Sequence, residues 1–363
     1  MRFKKKGRPD LLIFFVTLML LAIGVIMVFS ASYYDTLEKD PYYYLRKQLT
    51  WAFLGLILMF IMMKIDYFRW KPYLGFAFAA GLVLLVVVLF TEPIKGSKRW
   101  IDLGFFGLQP SELMKLCMVF LMALRLSRPG TDIKKLISGV GPNLVILGVV
   151  AGLIMLEPDL GTTLALAGTV GIMLLAAGLR LSHAGLLGLL GVAAVVVAIL
   201  MDPTRMARIT GWWNPWADTG DKGYQIINSL YALGSGGFFG MGLGNSRQKL
   251  DYLPEQNTDF IFAILGEELG FLGASLVVVL FFILAWRGYR IALTCPDPFG
   301  CLLAVGITTM IVLQAFMNMG VVSGLIPITG ISLPFISYGG SSLLISMMGI
   351  GVLLNISRYT RNT

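Results

Sequence analysis

The composition of this chain is that of a protein that resides in a lipid bilayer. Of its 363 residues, 57% are hydrophobic and 13% are charged, and apolar runs of about twenty residues recur, which excludes a soluble globular domain. The net charge of +9 is divided among short loops without a nucleic-acid motif, which excludes nucleic acid as a partner.

Apolar runs bounded by charges, glycine and proline predict ten transmembrane helices. In chain order they lie near residues 11–31, 49–65, 73–91, 110–126, 140–156, 160–179, 184–201, 258–286, 300–322 and 334–356. The first run lacks a signal-peptide cleavage site, so we interpret it as a retained span. The sequence thus predicts an all-α polytopic membrane protein, with a single transmembrane domain over residues 1–363. One long extracellular loop, near residues 202–257, joins spans seven and eight.

Most basic residues fall on the side of the predicted membrane that also holds the N-terminus. The short loops of the opposite side contain only Lys39, Arg46, Lys47, Lys95, Lys98 and Arg99. Because cytoplasmic loops carry the excess of Lys and Arg, both termini are predicted to be cytoplasmic. The acidic residues have the opposite distribution, which indicates a working surface on the outer face.

Cysteine and histidine form no catalytic or metal-binding pattern. Cys117 lies within a span, Cys295 and Cys301 lie in a cytoplasmic turn, and the only histidine, His183, lies in another turn. These positions support neither a disulfide framework nor a zinc site, nor catalysis by histidine. No metal-ligating residues are predicted.

The segment GSKRWIDLGFFGLQPSELMKL, residues 96–116, places two cations before a predicted helix. Lys98 and Arg99 lie in an outer loop, as interface anchors or as substrate-binding cations. Pro110 suits the first turn of the helix, and Glu112 and Lys115 share one helix face because they are three residues apart. They form either a structural ion pair between helices or a substrate-facing pair.

The motif LEPDLGTT, residues 156–163, separates two spans by only a few residues. Pro158 and Gly161 are sufficient to explain a tight turn. Glu157 and Asp159 either serve that turn, or coordinate a cation or contact the basic loop.

The loop over residues 202–257 contains RITGWWNPWAD and GYQIINSLYAL. The tryptophans suit a membrane interface and the second stretch suits a short helix, so we predict an interfacial lid. Its cations Arg208 and Arg247 are candidate substrate-binding residues. The glycine-rich GSGGFFGMGLGNSRQ is either a flexible turn or a nest of backbone amides for an anion.

The segment NMGVVSGLIPITGISLPFISYGGSS, residues 318–342, interrupts apolar sequence with prolines and glycines. Irregular backbone at membrane depth is tolerated only where protein or a water-filled cavity satisfies its polar groups. The segment therefore predicts a cavity wall, with Ser337 and Gly339 as candidate substrate-binding positions.

Carboxylates concentrate in KLDYLPEQNTDFIFAILGEELG, residues 249–270. Such groups beside an apolar helix mark a candidate functional site. Asp259 opens the apolar run, so it is either a helix cap or first-turn acid stabilised by the helix dipole, or a general base at a wet cavity. Glu267 and Glu268 lie inside the predicted span without an assigned role, and at least one must face the protein interior or a polar cavity.

Taken together, these motifs resemble the SEDS family of membrane peptidoglycan glycosyltransferases, which includes FtsW, RodA and SpoVE. The resemblance covers essentially the whole chain. It rests on GSKRWIDLG with QPSELMKL, EPDLGT, NPW, GYQIINSLYALGSGGFFGMGLGNSRQK, YLPEQNTDFIFAILGEELG and GLIPITGISLPFISYGGSSL, in the family's order. SRQKLDYLPE and ITGISLPFISYGGSSL look closer to the FtsW and SpoVE branch than to RodA.

The resemblance implies polymerisation of lipid II on the extracellular or periplasmic face of the bacterial cytoplasmic (inner) membrane. A β-1,4 linkage would form and undecaprenyl pyrophosphate would be released, during cell division or during sporulation septum or cortex synthesis. The family's essential aspartate falls at Asp259, and Asn257 stands where many relatives have histidine. Asp251 matches a position linked to activation by partners. The positions that match polar residues of the family's cavity are Arg99, Glu112 and Lys115.

The implied partners are a class B penicillin-binding protein, which is a transpeptidase, and other divisome membrane proteins. We hypothesise that Asp259 deprotonates the 4-hydroxyl of the acceptor GlcNAc, which attacks the anomeric carbon of the donor MurNAc with inversion. The leaving pyrophosphate needs cations, for which we predict Lys98, Arg99, Arg208 or Arg247, with Mg²⁺ or Mn²⁺ as a further candidate. No organic cofactor is implied. The competing hypotheses are a lipid II flippase or transporter, for which the sequence lacks an internal repeat, and a noncatalytic divisome scaffold.

Overall fold

The computed structural model describes residues 7–37, 40–93, 97–102, 104, 107–130, 133–217, 222–250 and 252–360. Within these ranges the chain forms twelve α-helices and one minimal β-hairpin. The helices are α1 (Leu11–Ser32), α2 (Tyr43–Lys64), α3 (Leu74–Val88), α4 (Pro110–Leu126), α5 (Gly141–Leu156), α6 (Leu160–Ala176), α7 (Leu181–Leu200), α8 (Pro203–Trp213), α9 (Lys222–Gly236), α10 (Ile261–Thr294), α11 (Pro298–Val322) and α12 (Gly340–Ser357). The antiparallel strands β1 (Ile101–Asp102) and β2 (Gly107–Leu108) lie between α3 and α4.

The ten predicted spans correspond to ten of these helices. Eight helical segments of the described chain are long and apolar enough to cross a membrane. The remaining two, α4 and α6, have 17 residues each and coincide with the predicted spans 110–126 and 160–179. The other two helices, α8 and α9, lie within the long connection between α7 and α10. The prediction of an all-α polytopic membrane protein is therefore confirmed.

Helices α11 and α12 form the centre of the bundle, and α7 lies at its edge. In both central helices 83% of the most apolar stretch is buried, whereas α7 contributes no buried residue. A central helix is surrounded by protein, so each polar side chain on it must find a partner inside the fold. Gln314 and Asn318 of α11 are buried in this way, and both turn toward the segment that follows α11.

Helix α10 is interrupted at Gly270, where φ is 67° and ψ is −166°. The interruption exposes backbone groups that the glycine-rich stretch before α10 satisfies. The two N–H groups after Gly270 donate to the carbonyls of residues 237–238 at 2.9 and 3.2 Å, and those of residues 241–242 donate to the carbonyls of residues 267–268 at 3.0 Å each. The glycine-rich stretch and α10 therefore form one unit.

The glycines of this stretch are required for close approach to α10. A Cβ atom on Gly236 would lie 2.0 Å from the carbonyl oxygen of Gly266, and one on Gly240 would lie 2.2 Å from that of Glu268. Because the amides of residues 240–242 donate to protein carbonyls, they are not available to an anion. At the end of the stretch, the N–H groups of residues 246–248 donate to the carboxylates of Glu267 and Glu268, so the amide nest predicted here holds the protein's own carboxylates.

Candidate active site

Four interhelical connections and α8 meet at one end of the bundle. Arg99 comes from the α3–α4 connection, Glu157 and Asp159 from the α5–α6 connection, and Asp259 from the residues before α10. The α11–α12 connection adds a fourth segment, because the Cβ position of Gly161 at the start of α6 lies 2.5 Å from the carbonyl oxygen of Thr329. These connections carry most of the residues that the sequence singles out.

Arg99 joins the α3–α4 connection to the α5–α6 connection through hydrogen bonds. Its Nε donates to the carbonyl oxygen of Glu157 at 3.0 Å, and one terminal nitrogen donates to that of Pro158. The other terminal nitrogen lies 3.9 Å from Oδ2 of Asp159. The α3–α4 connection is also held at its far end, where the Gln109 N–H donates to Ser341 Oγ at 3.2 Å. Arg99 is thus a positioned cation rather than a simple interface anchor.

The two carboxylates of the α5–α6 connection have different environments. Asp159 caps α6, accepting bonds from the N–H and the hydroxyl of Thr162, both at 2.9 Å. Glu157 is fully buried, and no described residue donates a hydrogen bond to its carboxyl oxygens. Burial raises the pKa of Glu157 most, the neighbouring charge of Asp159 adds to the rise and Arg99 opposes it, which together give a pKa of about 8. These surroundings favour the protonated carboxyl of Glu157.

The backbone around Asp259 is fixed by residues of α11 and of the α11–α12 connection. Asn318 Nδ2 donates to the carbonyl oxygens of both Asp259 and Ile331, each at 2.7 Å. Ser337 Oγ donates to the carbonyl oxygen of Thr258 at 2.6 Å, and the Tyr338 N–H donates to that of Asn257 at 2.9 Å. Three consecutive residues, 257–259, are thereby held against the centre of the bundle.

The side chain of Asp259 is only partly buried, unlike its backbone partners. Helix α10 begins at Ile261 with Phe260 as the N-cap residue, so Asp259 lies outside the capping position. Gly330, with φ of 70°, lies beside the carboxylate, and a Cβ atom on it would lie 3.6 Å from Asp259 Oδ2. Asp259 is therefore not the N-cap residue of α10, and its role as a general base stays a prediction.

Arg208 reaches the same region from α8. The helix is attached to the bundle through Trp212, whose Nε1 donates to the carbonyl oxygen of Gly324 at 2.8 Å. Burial lowers the pKa of Arg208, and the charge of Arg99 lowers it further. The carboxylates of Asp259, Asp159 and Asp202, in that order of strength, favour its charged form. Arg208 therefore lies within electrostatic range of both Arg99 and Asp259.

Glu112 and Lys115 form a buried ion pair on α4, with 2.8 Å between Lys115 Nζ and Glu112 Oε1. Lys115 also donates to Gln314 Oε1 at 2.5 Å, and Gln314 Nε2 donates to the carbonyl oxygen of Ser332 at 3.0 Å. Gln314 and Asn318 lie one turn apart on α11. The ion pair is thus connected through α11 to the segment that supports Asp259, and its contacts are those of a pair that joins two helices.

The remaining predicted site residues are placed differently. Lys98 is exposed, and its Nζ donates to the carbonyl oxygen of Leu89 at 3.1 Å. Arg247 is exposed on the loop before α10, where its backbone N–H donates to Glu267. Ser337 supports the backbone at Thr258, and Gly339 immediately precedes α12. Asp251 lies outside the described residues.

A second buried network holds the loop before α10, and it gives Glu267 and Glu268 a structural role. Glu267 accepts hydrogen bonds from the N–H groups of Arg247 and Gln248, at 3.1 and 3.3 Å. Glu268 pairs with Lys249 at 3.0 Å and accepts from the Ser30 hydroxyl at 2.7 Å. Both carboxylates therefore face the protein interior, as the sequence required of at least one.

Asn318, Gln314 and Gly330 are the residues of this region that sequence reasoning missed. A buried amide within an apolar helix was a usable signal for the first two, because such a group at membrane depth requires a partner. Gly330 gave no separate signal among several neighbouring glycines. Asp159 was noted, and the alternative that it contacts the basic loop agrees with its distance of 3.9 Å from Arg99.

The arrangement places the partly exposed carboxylate of Asp259 within electrostatic range of Arg208, which is also within range of Arg99. A carboxylate at a wet cavity can accept a proton from a hydroxyl, and fixed cations can stabilise negative charge on a leaving phosphate. Among the described residues, no three Asp, Glu, His or Cys side chains converge as a metal site.

The chain resembles curated proteins over nearly its whole length. Residues 10–362 match the FtsW/RodA/SpoVE family, described as cell cycle protein. Stage V sporulation protein E of Bacillus subtilis (strain 168) is 49% identical over 362 residues, which cover 98% of this chain and 99% of that protein. A probable peptidoglycan glycosyltransferase FtsW of Geobacter sp. (strain M18) is 41% identical over 358 residues, which cover 97% of each.

Solved structures share the fold. One is a chain of a peptidoglycan synthase complex studied for the coordination of polymerization and crosslinking, with a TM-score of 0.81, 28% identity, and coverage of 96% of this chain and 98% of that chain. Another is the rod shape determining protein RodA of Thermus thermophilus, with a TM-score of 0.72, 29% identity and coverage of 98% of each chain. The predicted preference for the SpoVE and FtsW branch agrees with these identities. The chain therefore belongs to the FtsW/RodA/SpoVE family of cell cycle proteins.

Proposed function

We propose that this chain is a peptidoglycan glycosyltransferase that polymerises lipid II into β-1,4-linked glycan strands and releases undecaprenyl pyrophosphate. Family membership and relatives named as probable peptidoglycan glycosyltransferases support the reaction class. The assignment depends on the placement of Asp259. Asn318 donates a hydrogen bond to the backbone carbonyl oxygen of Asp259, whose carboxylate lies near Gly330 and within electrostatic range of Arg208. The site end of the bundle is assigned to the extracellular or periplasmic face, because the basic loops lie at the other end.

In the proposed reaction, Asp259 removes the proton from the 4-hydroxyl of the acceptor GlcNAc. The resulting oxygen attacks the anomeric carbon of the donor MurNAc from the face opposite the pyrophosphate, so that configuration is inverted. The bond to the pyrophosphate breaks, and its electron pair leaves with the undecaprenyl pyrophosphate. Arg99 and Arg208 offset the negative charge that develops there.

The other candidate substrate-binding residues have supporting parts in this proposal. Lys98 and Arg247 are exposed cations that can meet the pyrophosphate as it approaches. Glu112 and Lys115 hold α4 against α11, and Ser337 and Gly339 shape the connection beside Asp259. Their individual effects on substrate affinity are proposals that single substitutions would test.

A divalent cation is a further proposal. Mg²⁺ binds through one or two carboxylates together with substrate phosphates, and Asp259 is the partly exposed carboxylate within electrostatic range of Arg208 that could contribute to such a site. When bound, such an ion would add positive charge at the pyrophosphate. Polymerisation measured before and after chelation, with Mg²⁺ or Mn²⁺ added back, tests this requirement.

The base assignment is tested with purified protein and labelled lipid II. We expect Asp259→Asn to lower the polymerisation rate by roughly 100-fold or more, because it removes the proton acceptor. Asp102→Asn, an exposed change at the same end of the bundle, serves as the matched control and should retain activity. Equal polymerisation by Asp259→Asn and wild type would falsify the assignment.

The same preparation separates the competing functions. Movement of lipid II across proteoliposomes without chain growth would identify a transporter instead of a polymerase. A noncatalytic scaffold would be identified if Asp259→Asn supported normal growth in cells while changes on the partner-binding surface did not.

The proposed protein partner is a class B penicillin-binding protein, together with other divisome membrane proteins. The structural similarity to a chain of a peptidoglycan synthase complex supports a transpeptidase partner. Asp251 is proposed as a residue that responds to this partner. We expect the partner to increase polymerisation by wild type more than by Asp251→Asn, with unchanged co-purification of the two proteins. An equal increase would remove Asp251 from this role.

A further inference from the structure

A cavity of about 310 Å³ opens at the end of the bundle opposite the candidate active site. It lies between the last turn of α4 and the beginning of α5, far along α4 from Glu112. Its walls contain three cationic side chains, those of Arg125, Arg128 and Lys135. The reaction proposed above makes no use of this cavity.

The charge of this region is strongly positive. Residues 125–143 contain four basic residues and one acidic residue, Asp132, which lies outside the described residues. Arg125 is held in place, since its Nε donates to Asn143 Oδ1 at 2.8 Å and Asn143 Nδ2 donates to the carbonyl oxygen of Gly139 at 3.0 Å. A fixed guanidinium with cationic neighbours suits a phosphate group, which presents several oxygen acceptors.

The backbone around the cavity has an unusual form. Residues Leu136–Val140 form a π-helical turn, and α5 begins directly after it at Gly141. π-Helical turns are rare in proteins, and many of those that occur lie at functional sites. The positive end of the α5 dipole adds to the potential of the three side chains. A general excess of cytoplasmic basic residues explains their presence in the loop, but it does not explain their convergence on a cavity.

The cavity lies beside an apolar surface. Ile137 is 86% exposed within the π-helical turn, and Val145 on α5 is 67% exposed. Lys134 and Lys135, which precede Ile137 by three and two positions, are exposed. An exposed apolar residue beside exposed lysines is the pattern of a segment at the boundary between acyl chains and headgroups.

We propose that this cavity binds a phosphate group, and that an anionic phospholipid headgroup supplies it. The phosphate lies among Arg125, Arg128 and Lys135, and the acyl chains run along the exposed apolar face of α5. In the orientation proposed above, the lipid belongs to the cytoplasmic leaflet. The site is independent of Asp259, so its test does not depend on polymerase activity.

The test compares two double variants of the full-length protein that remove equal charge from the same end of the bundle. Arg128→Gln with Lys135→Gln changes the cavity, whereas Lys64→Gln with Arg180→Gln changes exposed cations outside it. After delipidation, each protein is mixed with phosphatidylglycerol or with phosphatidylcholine, and bound lipid is counted by native mass spectrometry. A second arm replaces lipid with inorganic phosphate or pyrophosphate and measures the thermal unfolding midpoint.

We expect wild type and the control variant to prefer phosphatidylglycerol, and the cavity variant to lose affinity by roughly fivefold for each cation removed. Stabilisation by inorganic phosphate alone, with the same dependence on the cavity residues, would keep the phosphate site and reject the lipid as its source. Equal binding by the cavity and control variants, with both proteins eluting as folded monodisperse species, would overturn the proposal.

Discussion

Asn318 is the residue on which the position of Asp259 depends most directly. One side-chain nitrogen donates to the backbone on each side of the site, at Asp259 and at Ile331. Because Asn318 belongs to the buried helix α11, it holds the backbone of Asp259 against the centre of the bundle. Asn318 is therefore a positioning residue in our interpretation, acting through Asp259.

We expect Asn318→Ala to lower kcat for lipid II polymerisation by roughly 10- to 100-fold with little change in KM, because the carboxylate loses its alignment. The free energy of unfolding should fall by about 1–3 kcal/mol, since buried carbonyls lose a donor. Asn245→Ala, which removes an exposed amide from the loop before α10, is the control for both measurements. A change in KM alone would contradict the positioning role.

The raised pKa of Glu157 predicts that the stability of the fold depends on pH. Burial raises its pKa from 4.5 to about 8, so the folded chain keeps a proton that the unfolded chain has released between these values. The contribution of Glu157 to stability therefore falls as pH rises from about 4.5 to about 8, and then levels off.

We expect Glu157→Gln to match wild type near pH 5 and to unfold at a progressively higher temperature than wild type up to about pH 8, because glutamine resembles the protonated carboxyl. Tryptophan fluorescence during thermal unfolding measures this difference. Glu92→Gln, at an exposed position, should show no such trend. A constant difference across the pH range would argue against a buried neutral Glu157.

At the scale of elements, α10 and the glycine-rich stretch before it are the least regular part of the bundle. The helical hydrogen-bond pattern is interrupted at Gly270, and the glycine-rich stretch supplies the missing hydrogen-bond partners. Hydropathy predicted a continuous span over residues 258–286, since it reports burial and not backbone geometry. The interruption depends on contacts with the glycine-rich stretch, so hydropathy alone could not predict it.

Two glycines of this stretch allow the effect of packing on stability to be measured separately from the effect of backbone conformation. Gly240 and Gly244 have φ values of 83° and 82°, but only Gly240 would place a Cβ atom against α10, at 2.2 Å from the Glu268 carbonyl oxygen. We expect Gly244→Ala to cost about 1–2 kcal/mol from its backbone conformation alone. Gly240→Ala should cost clearly more, as measured by thermal or denaturant unfolding. Equal losses would show that the close approach to α10 is unimportant.

At the scale of the whole molecule, the pair of Lys249 and Glu268 joins three distant parts of the chain. It connects the loop before α10 to α10 itself, and Ser30 brings in α1. Both charged side chains are about 1% exposed, so each depends on the other for compensation. This contact places the loop, and with it the approach to Asp259, relative to the first helix.

Removing one member of the Lys249–Glu268 pair should lower the free energy of unfolding strongly. We expect Lys249→Met to lower the free energy of unfolding by about 3–5 kcal/mol, because Glu268 remains buried without its counter-charge. Lys249→Met combined with Glu268→Gln should recover part of that loss. Arg46→Met, in the exposed pair with Asp40, should cost less than about 1 kcal/mol. Additive losses in the double variant would show that the two charges do not interact.

The sequence by itself determined the membrane class, the ten helical spans, the long connection and the family. Each of these depends on a local property, either the hydrophobicity of a run of residues or the order of short motifs. The local pattern also singled out Asp259, Arg99 and Arg208. It did not reveal which polar groups meet.

The tertiary structure decided those meetings, because they join residues that are far apart in the chain. Arg99 reaches the carbonyl oxygen of Glu157 across 58 positions, and Asn318 reaches that of Asp259 across 59. Within the bilayer a buried polar group must be satisfied by protein, so the packing of the helices selects its partner. For this reason the sequence left the partners of these groups open, and the packed bundle identified them.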